Sequence, residues 1–364
     1  MCGENNSEKE GVGTLERNAF YNGRRVLVTG HTGFKGTWLC WLLSALGAEP
    51  FGYALPPRPG CLYEMARPPM GDEIFGDIRN RTELERALDQ FQPDLIVHLA
   101  AHAYLDGSYE YPADIFEINV MGTVGLLEAV RRSGRRVPTA VVTSDKCYAQ
   151  GLKGKPCREG DPFGAAEAYS TSKACQDLTA QCYRISFPDM PIAAARASNT
   201  IGGGDFNKTR LIPHLLDCFS RGEPAKLRNP NFVRPWQYVL DVLWGYLTLG
   251  QALTEGAITG DTSFNFGPAP DGFQTVGRVA ELLASHFPGA DCEPGTGGRS
   301  GETELLRLDS GKARELLGWR PLYTLEETLA QAAAFQKGLA CTPAARLCRE
   351  QTAQYIKRIQ ETRG

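Results

Sequence analysis

The sequence lacks several features that would place the protein in a special class. No apolar run reaches the ~18 residues that a membrane-spanning helix needs, and the first residues, up to Asn18, are polar and charged rather than signal-like. Its 11 cysteines include no Cys-x-x-Cys pair and no Cys/His spacing typical of a metal site. We therefore expect reduced thiols, a cytoplasmic protein without a membrane or metal site, and a flexible leader over residues 1–19.

An excess of basic charge is also missing. The chain has 39 basic and 42 acidic residues, a net charge of −3, which argues against nucleic acid as a main partner. Hydrophobic residues make up 42% and charged residues 22% of the 364 positions, as in ordinary globular proteins. The length suits two to three units, or one large α/β domain with a cap.

Short apolar strands alternate with helical patterns along the first two hundred residues, which predicts a parallel sheet buried on both faces. We predict an α/β fold: a doubly wound parallel Rossmann sheet over 20–200, to which later segments return, and a smaller, irregular C-terminal substrate lobe over 201–338. A helical appendage over 339–364 completes it. The predicted strands are Arg25–Thr29, Pro50–Tyr53, Glu73–Phe75, Leu95–Ala100, Thr139–Thr143 and Ile192–Arg196. The predicted helices are Thr37–Leu46, Glu83–Gln90, Ile115–Ser133, Tyr169–Ser186, Leu211–Ser220, Val239–Leu253, Thr275–His286 and Leu339–Arg363.

Three glycines follow the first strand and open the first helix: Gly30, Gly33 and Gly36. Glycines at this spacing allow a tight turn, close approach of a pyrophosphate and close packing of helix on strand, although they also occur in turns that bind nothing. Their position favours a dinucleotide. An acidic residue ~20 positions on would select NAD, but none is present there, so the sequence predicts NAD without excluding NADP. Asp77 follows the third strand and faces either the adenine or, as a helix cap, the region of Arg81.

Tyr169 and Lys173 lie four residues apart and therefore on one face of a helix. A cation beside the phenol, with a positive nicotinamide nearby, lowers its pKa and makes it a general base, whereas the alternative is a surface tyrosine with a solvated lysine. The strand before them ends in Ser144, Asp145 and Lys146. An acid and a potential base side by side suggest a proton transfer beyond simple hydride transfer.

These residues resemble those of the extended short-chain dehydrogenases/reductases, within them the nucleotide-sugar dehydratases, and most closely the CDP-glucose 4,6-dehydratases. The resemblance runs from about Phe20 to about Leu329. It rests on four strings besides the Tyr169/Lys173 pair: Thr29-Gly30-His31-Thr32-Gly33-Phe34-Lys35-Gly36, Ser144-Asp145-Lys146-Cys147-Tyr148, Ile201-Gly202-Gly203-Gly204-Asp205 and Arg234-Pro235-Trp236-Gln237.

The resemblance implies a tightly bound nicotinamide cofactor and a hydro-lyase reaction that forms a 4-keto-6-deoxy sugar from CDP-glucose or a related nucleotide hexose. Tyr169 would remove the 4-hydroxyl proton, Ser144 would orient the 4-oxygen, Lys146 would take the C5 proton and Asp145 would protonate the leaving 6-hydroxyl. The implied cofactor residues are Gly30, His31, Thr32, Gly33, Phe34, Lys35, Gly36, Asp77, Ile78, Ala100, Tyr169 and Lys173. The implied substrate residues are Asn199, Arg210, Arg228, Arg234 and Glu302.

Two other interpretations stay open from the residues alone: a nucleotide-sugar 4-epimerase or reductase on the same scaffold, and a non-catalytic dinucleotide sensor. The apolar helices Ile115–Ser133 and Tyr169–Ser186 are further expected to pair with their copies in a homodimer.

Overall fold

Parallel strands form the central layer of the computed structural model, which describes residues 20–103, 107–149, 155–164, 167–295 and 305–362. The strands are β1 (Arg25–Thr29), β2 (Glu49–Ala54), β3 (Asp72–Phe75), β4 (Leu95–His98), β5 (Thr139–Val142), β6 (Ile192–Ala197), β7 (Asn199–Ile201), β8 (Ala225–Leu227), β9 (Val233–Tyr238), β10 (Ser263–Phe266), β11 (Phe273–Thr275) and β12 (Cys292–Pro294). Seven of them make one sheet in the order β3-β2-β1-β4-β5-β6-β10, with every neighbour parallel. The predicted doubly wound parallel sheet is confirmed.

Helices cover both faces of this sheet and build the second lobe. They are α1 (Phe34–Ala45), α2 (Leu62–Ala66), α3 (Arg81–Phe91), α4 (Gly107–Glu110), α5 (Pro112–Phe116), α6 (Gly122–Arg132), α7 (Ala168–Ser186), α8 (Leu211–Ser220), α9 (Val239–Thr254), α10 (Val276–Ala284), α11 (Gly311–Leu317), α12 (Leu325–Gly338) and α13 (Ala344–Glu361). A π turn (Glu117–Met121) joins α5 to α6, and a 3-10 turn (Asp145–Cys147) follows β5. The regular helix predicted over Ile115–Ser133 is therefore interrupted by the π turn.

Alternating side chains of the strands feed two apolar layers, as the period of a β-strand requires. Val26 and Val28 of β1 pack with α1, α9 and α13, while Leu27 between them packs with α3 and α6 on the opposite face. Because both faces are covered, β4 and β5 are wholly buried. This burial explains why their sequences are continuous apolar runs.

The second lobe has a core of its own, formed by α8, α10 and α12 around Leu215, Val279 and Leu329. Two small sheets accompany it, β11-β9-β7 and β12-β8. The predicted smaller C-terminal lobe is thus present, and β10 returns from it to the main sheet.

The last helix, α13, lies against α1 and α2. Its Tyr355 is fully buried and donates a hydrogen bond to Asp241 of α9 at 2.8 Å. Within the described part of the chain, no helix combines the length and apolar character needed to cross a bilayer.

Candidate active site

The loops after β1, β4, β5 and β6 lie at one edge of the sheet, because the carboxyl ends of parallel strands meet there. The winding of the sheet reverses between β1 and β4, and ligands of doubly wound folds bind at this reversal. The glycine turn follows β1, and the Ser144-Asp145-Lys146 sequence follows β5. The fold therefore brings the two predicted motifs to the same edge.

The glycine turn has the geometry of a dinucleotide cradle. Gly30 has a φ of 76°, and a Cβ there would lie 2.8 Å from the Ala100 nitrogen; a Cβ at Gly36 would lie 2.2 Å from the Gly30 oxygen. These two glycines are required by the packing of the chain itself. Gly33 differs, because its Cβ would meet only the Gly30 oxygen, at 3.3 Å, and no described side chain caps the helix that it begins. Its open side and the free helix N-terminus fit the pyrophosphate of a nicotinamide dinucleotide.

The other predicted residues of this turn point in different directions. His31 is fully buried against β2 and β3, where its Nε2 lies 2.9 Å from Glu73 and its ring leaves no room for a side chain at Gly52. Burial lowers the pKa of His31. Thr32 donates to the carbonyl of Leu55 at 3.0 Å. The imidazole of His31 thus shapes the turn from behind and is not brought to its open side.

Lys35 extends from the turn toward the second lobe. Its ammonium donates to the hydroxyl of Tyr246 on α9 at 3.3 Å, and burial together with the charge of Arg210 lowers its pKa to about 8. Phe34 is partly buried beside Gly202. Lys35 therefore lies between the glycine turn and the acidic side chains Asp145 and Asp205, whose charges act on it.

Three more predicted cofactor residues lie along the neighbouring strand ends. Asp77 forms a bidentate pair with Arg79, with a shortest distance of 2.7 Å, and this hydrogen bonding lowers the pKa of Asp77. The cap of α3 is Asn80 rather than Asp77. Ile78 is buried against Gly122, and the Ala100 amide donates to the hydroxyl of Thr29 at 3.2 Å.

The turn after β5 carries the predicted catalytic acid and base. Ser144 Oγ donates to Asp145 Oδ1 at 3.0 Å and accepts the Lys146 amide at 3.2 Å. Asp145 is 2% exposed, and its Oδ2 has no hydrogen-bond partner among the described residues. Burial raises the pKa of Asp145 against the opposing charges of Lys146, Lys35 and Arg234 and the hydrogen bond from Ser144. Desolvation thus favours the protonated carboxyl that a general acid needs.

Lys146 is partly exposed and forms no salt bridge within the described ranges. Its charge acts on Asp145, which places it near the carboxyl.

Tyr169 is a partly buried residue in the first turn of α7, which is capped by Glu167. Burial raises the pKa of Tyr169 to about 12, and a hydrogen bond with Ser144 and the charge of Arg210 oppose the rise. The raised pKa of Tyr169, caused by burial, differs from the lowered value expected beside Lys173 and a positive nicotinamide. The Lys173 ammonium donates to the Val142 carbonyl at 3.3 Å and to Gln176 at 2.7 Å.

A buried ion pair supports the catalytic turn from below. Arg196 of β6 holds both carboxylate oxygens of Asp177 at 2.8 Å and donates to the hydroxyl of Tyr148 at 2.7 Å. Asp177 also accepts from Thr143 at 2.9 Å. The guanidinium of Arg196 is 0% exposed and is engaged by protein groups. Its role in the described structure is support.

Of the predicted substrate residues, Arg210 and Arg234 lie nearest the catalytic turn. Arg210 pairs with Asp205 at 3.0 Å and its charge acts on Tyr169, while the charge of Arg234 acts on Asp145. Asn199 begins β7, directly after the β6 strand end. Arg228 is exposed after β8, and Glu302 lies outside the described residues.

Sequence reasoning missed several buried polar residues of this site. Asn119 lies in the π turn, where its amide donates to Ser172 at 2.8 Å and to the carbonyl of His102 at 3.1 Å. Gln176, Thr123 and His98 form a hydrogen-bonded series behind Lys173. A glutamine one turn after the lysine, on the buried side of α7, is the only local signal for this series in the sequence. The partners come from distant segments and have no such signal.

Comparison with known proteins identifies the family. The model of the NAD dependent epimerase/dehydratase family matches residues 26–267. A CDP-glucose 4,6-dehydratase of Salmonella typhimurium is 39% identical over 331 residues, which cover 87% of this chain and 92% of that protein. A dTDP-glucose 4,6-dehydratase of Xanthomonas campestris is 30% identical over 280 residues, 71% of this chain and 78% of that protein.

Solved structures share the fold. A UDP-glucose 4-epimerase of Thermotoga maritima with UDP-glucose superposes with a TM-score of 0.75 at 22% identity, over 86% of this chain and 99% of that one. A dTDP-glucose 4,6-dehydratase of Bacillus anthracis in complex with NAD gives 0.72 at 22% identity, over 86% and 96%. The resemblance inferred from the motifs is confirmed: this chain belongs to the NAD dependent epimerase/dehydratase family.

Proposed function

We propose that this protein is a nucleotide-sugar 4,6-dehydratase that converts CDP-glucose, or a related nucleoside diphosphate hexose, into the 4-keto-6-deoxy sugar and water. The observation that carries the proposal is the buried Oδ2 of Asp145, which has no hydrogen-bond partner among the described residues, while its neighbour Ser144 bonds Tyr169. A simple epimerase or reductase has no use for a buried, protonated carboxyl at this place. An elimination does, because the 6-hydroxyl must be protonated as it leaves.

The proposed roles follow from the placement of each group. Tyr169 accepts the proton of the 4-hydroxyl, and Ser144 bonds the 4-oxygen. When bound, a nicotinamide cofactor would supply a reversible hydride acceptor for the transfer of hydrogen from C4 to C6. Oxidation at C4 acidifies the C5 proton, which Lys146 removes while Asp145 gives its proton to the departing 6-oxygen, so that water forms. As hydrogen is added to C6, Lys146 gives a proton back to C5, and the sugar ends with no net oxidation.

We propose NAD rather than NADP as this cofactor. Glu73 lies behind the glycine turn, bonded to His31 and Tyr63, and Asp77 ends the neighbouring loop. In doubly wound folds, a carboxylate near these strand ends meets the ribose of the adenosine half of a dinucleotide. Negative charge there disfavours a 2′-phosphate. Calorimetric titration with both dinucleotides tests this choice, and tighter binding of NADP would refute it.

We propose that the lobe over 201–338 binds the nucleotide diphosphate of the substrate. Arg210 and Arg234 extend from this lobe toward Tyr169 and Asp145, and guanidinium groups suit diphosphate oxygens. Asn199, at the start of β7 directly after β6, is the third residue proposed to contact the diphosphate. Arg228 and Glu302 complete the proposed set from the sequence resemblance.

We propose that two copies associate through the π turn, α6 and α7. Met121, Leu178 and Ile185 on these elements are 57%, 50% and 67% exposed, a large apolar exposure for helices of a monomer. Light scattering that gives a monomeric mass would refute the dimer.

We also propose the cytoplasm as the location, since the ten described cysteines are free thiols, which persist in reducing compartments.

The test of the proposed reaction separates its two proton transfers. In deuterated water with CDP-glucose, the wild type is expected to release water and carry solvent deuterium at C5. Lys146→Met is expected to lose both, whereas Asp145→Asn keeps C5 exchange but loses water elimination. Mass spectrometry and NMR of the sugar read the two steps, and Lys357→Met, an exposed lysine of α13, serves as the matched control.

A product of unchanged mass but inverted C4 would assign an epimerase instead. Full turnover by Lys146→Met would remove Lys146 as the base. No product with any nucleoside diphosphate hexose would refute the dehydratase.

A further inference from the structure

Gln176 is a buried amide directly behind the proposed catalytic lysine. It lies three residues after Lys173 on α7 and is 0% exposed. Its Oε1 accepts from the Lys173 ammonium at 2.7 Å, and its Nε2 donates to the hydroxyl oxygen of Thr123 at 2.8 Å. The amide thus has one polar end on the lysine and the other on a fixed neighbour.

The orientation of this amide is set by the hydrogen bonds beyond it. The Thr123 hydroxyl donates its single proton to the Asn119 carbonyl at 2.7 Å, so its oxygen accepts from both Gln176 and His98 Nε2, the latter at 2.9 Å. His98 then carries its proton on Nε2, and its Nδ1 accepts from Thr29 at 2.7 Å. Because Thr123 has no proton left to donate, the amide oxygen of Gln176 must face Lys173.

Counting donors also limits the hydrogen bonds that Lys173 can make. A charged ammonium has three N–H groups. Gln176 takes one and the Val142 carbonyl takes another, at 3.3 Å, which leaves one N–H group for a further acceptor. Two carbonyl oxygens around a buried ammonium stabilise its charged form. Burial and the charge of Lys35 work against them and lower the pKa of Lys173 to about 7.

We propose that Gln176 is a positioning residue that keeps the Lys173 ammonium charged and held against the end of β5, and thereby sets the alkaline limit of activity. The proposal rests on the proposed function of Tyr169 and Lys173. It adds a residue that touches neither substrate nor cofactor and acts through the lysine.

The other titratable groups around Lys173 do not supply this stabilisation. Lys35 faces it from α1, Cys147 from the 3-10 turn and His98 from β4. None of these carries negative charge at neutral pH. The carboxyl groups on α7 and on the elements packed against it are held elsewhere or uncharged. Asp114 and Glu117 are exposed, Glu128 and Asp177 are held by arginines, Glu167 caps α7, and burial raises the pKa of Asp145, which favours its neutral form.

The test compares the titration of Lys173 itself in several variants. Lysine is labelled with 13C at Cε, and the resonance of Lys173 is assigned with Lys173→Met and separated from that of Lys35 with Lys35→Met. Gln176→Met keeps the length of the side chain but removes the acceptor, so the midpoint is expected to fall by about one pH unit, the size expected for one hydrogen bond to a charged group. Gln176→Glu is expected to raise the midpoint by at least as much.

The pH profile of kcat/KM is expected to follow. Its alkaline limb moves to lower pH in Gln176→Met and to higher pH in Gln176→Glu, whereas a merely structural residue would lower activity equally at all pH values. Gln181→Met makes the same change on the same helix, at a glutamine bonded to Asp177, and is expected to leave both readouts unchanged.

A Lys173 midpoint within a few tenths of a unit of the wild type in Gln176→Met overturns the proposal. If that variant does not fold, Gln176→Glu decides: an unmoved midpoint there overturns the proposal equally. The proposed function fails separately, if Tyr169→Phe and Lys173→Met both retain turnover.

Discussion

Two polar regions flank the proposed nicotinamide site, and they differ in how completely their hydrogen bonds are satisfied. Behind Lys173, Gln176 and His98 both donate hydrogen bonds to Thr123, and Thr29 donates to His98, so every side chain of this series has a partner. In the turn after β5, Asp145 is equally buried, but one carboxyl oxygen lacks a partner in the described structure. Leaving a buried acceptor unsatisfied costs about 1–3 kcal/mol.

The satisfied region has a supporting role, whereas the unsatisfied carboxyl is expected to take part in the reaction. The satisfied series is fixed without a ligand and holds the lysine in place. The unsatisfied carboxyl gains its partner only when substrate arrives, so its stabilisation is reserved for the bound state. Four experiments break or sharpen this contrast.

The largest effect is expected at the unsatisfied carboxyl. Asp145→Asn removes the transferable proton but keeps the shape, so turnover should fall by about 10²- to 10⁴-fold. The unfolding free energy should not fall, because no protein hydrogen bond to Oδ2 is lost. Steady-state assays with thermal unfolding check both expectations, and a large loss of stability would contradict the contrast between the two regions.

Breaking the support beneath the turn should instead unfold the protein. Arg196→Met leaves Asp177 buried without its counter-charge, which should cost about 3–5 kcal/mol of unfolding free energy in urea denaturation. Arg346→Met is the control, because its pair with Glu350 on α13 is exposed and should leave the denaturation midpoint unchanged. An equal response of the two variants would refute the structural role of Arg196.

The glycine turn contains the same division. Gly33→Ala should weaken NAD binding about ten-fold without loss of stability, since its Cβ meets little of the chain. Gly36→Ala should instead destabilise the fold by about 1–3 kcal/mol, because its Cβ overlaps the Gly30 carbonyl. Calorimetric titration and thermal unfolding distinguish them. Equal NAD affinity of Gly33→Ala and wild type would remove Gly33 from the cradle.

The smallest effect concerns His98 and is confined to acid. Burial and the charge of Lys173 lower its pKa to about 3, against about 6.5 in the unfolded chain. Between these values the unfolded chain binds the extra proton, so the contribution of His98 to stability is full above about pH 6.5 and is lost as pH falls toward 3. Denaturation curves of wild type and His98→Gln should therefore converge as pH falls. Parallel pH dependences of the two proteins would contradict a buried neutral His98.

The elements of the fold that can be predicted from the sequence are those with a local hydrophobic pattern. The bounds of β1 and α8 match their predictions residue for residue, because an apolar strand and an amphipathic helix each carry their own period. The strand predicted to Ala100 ends at His98, since the Leu99 and Ala100 amides turn to bond Thr29. The bond between Ala100 and Thr29 joins segments 71 residues apart and has no local signature in the sequence.

The site divides in the same way. Motif spacing brings the glycine turn, Ser144-Asp145-Lys146 and Tyr169/Lys173 to one sheet edge, since strand ends place them there. The direction in which each side chain points is not predictable from the motif. His31 lies within the glycine motif, yet its ring faces β2, where Gly52 leaves a space for it. Gln176 depends on Thr123, and Arg196 on Asp177, so their roles emerge only once α6, α7 and β6 pack together.

The π turn between Glu117 and Met121 has a consequence for how this helix tolerates change in length. One residue more than a regular turn is wound into it, so a single deletion there restores an uninterrupted α-helix. Residues before the deletion would then be rotated by about 100° relative to those after it. Asn119 would then point away from Ser172, whereas the apolar face of α6 would keep its contacts with the sheet. Small gaps in aligned sequences at this point therefore mark the loss of an inward amide, not the loss of the helix.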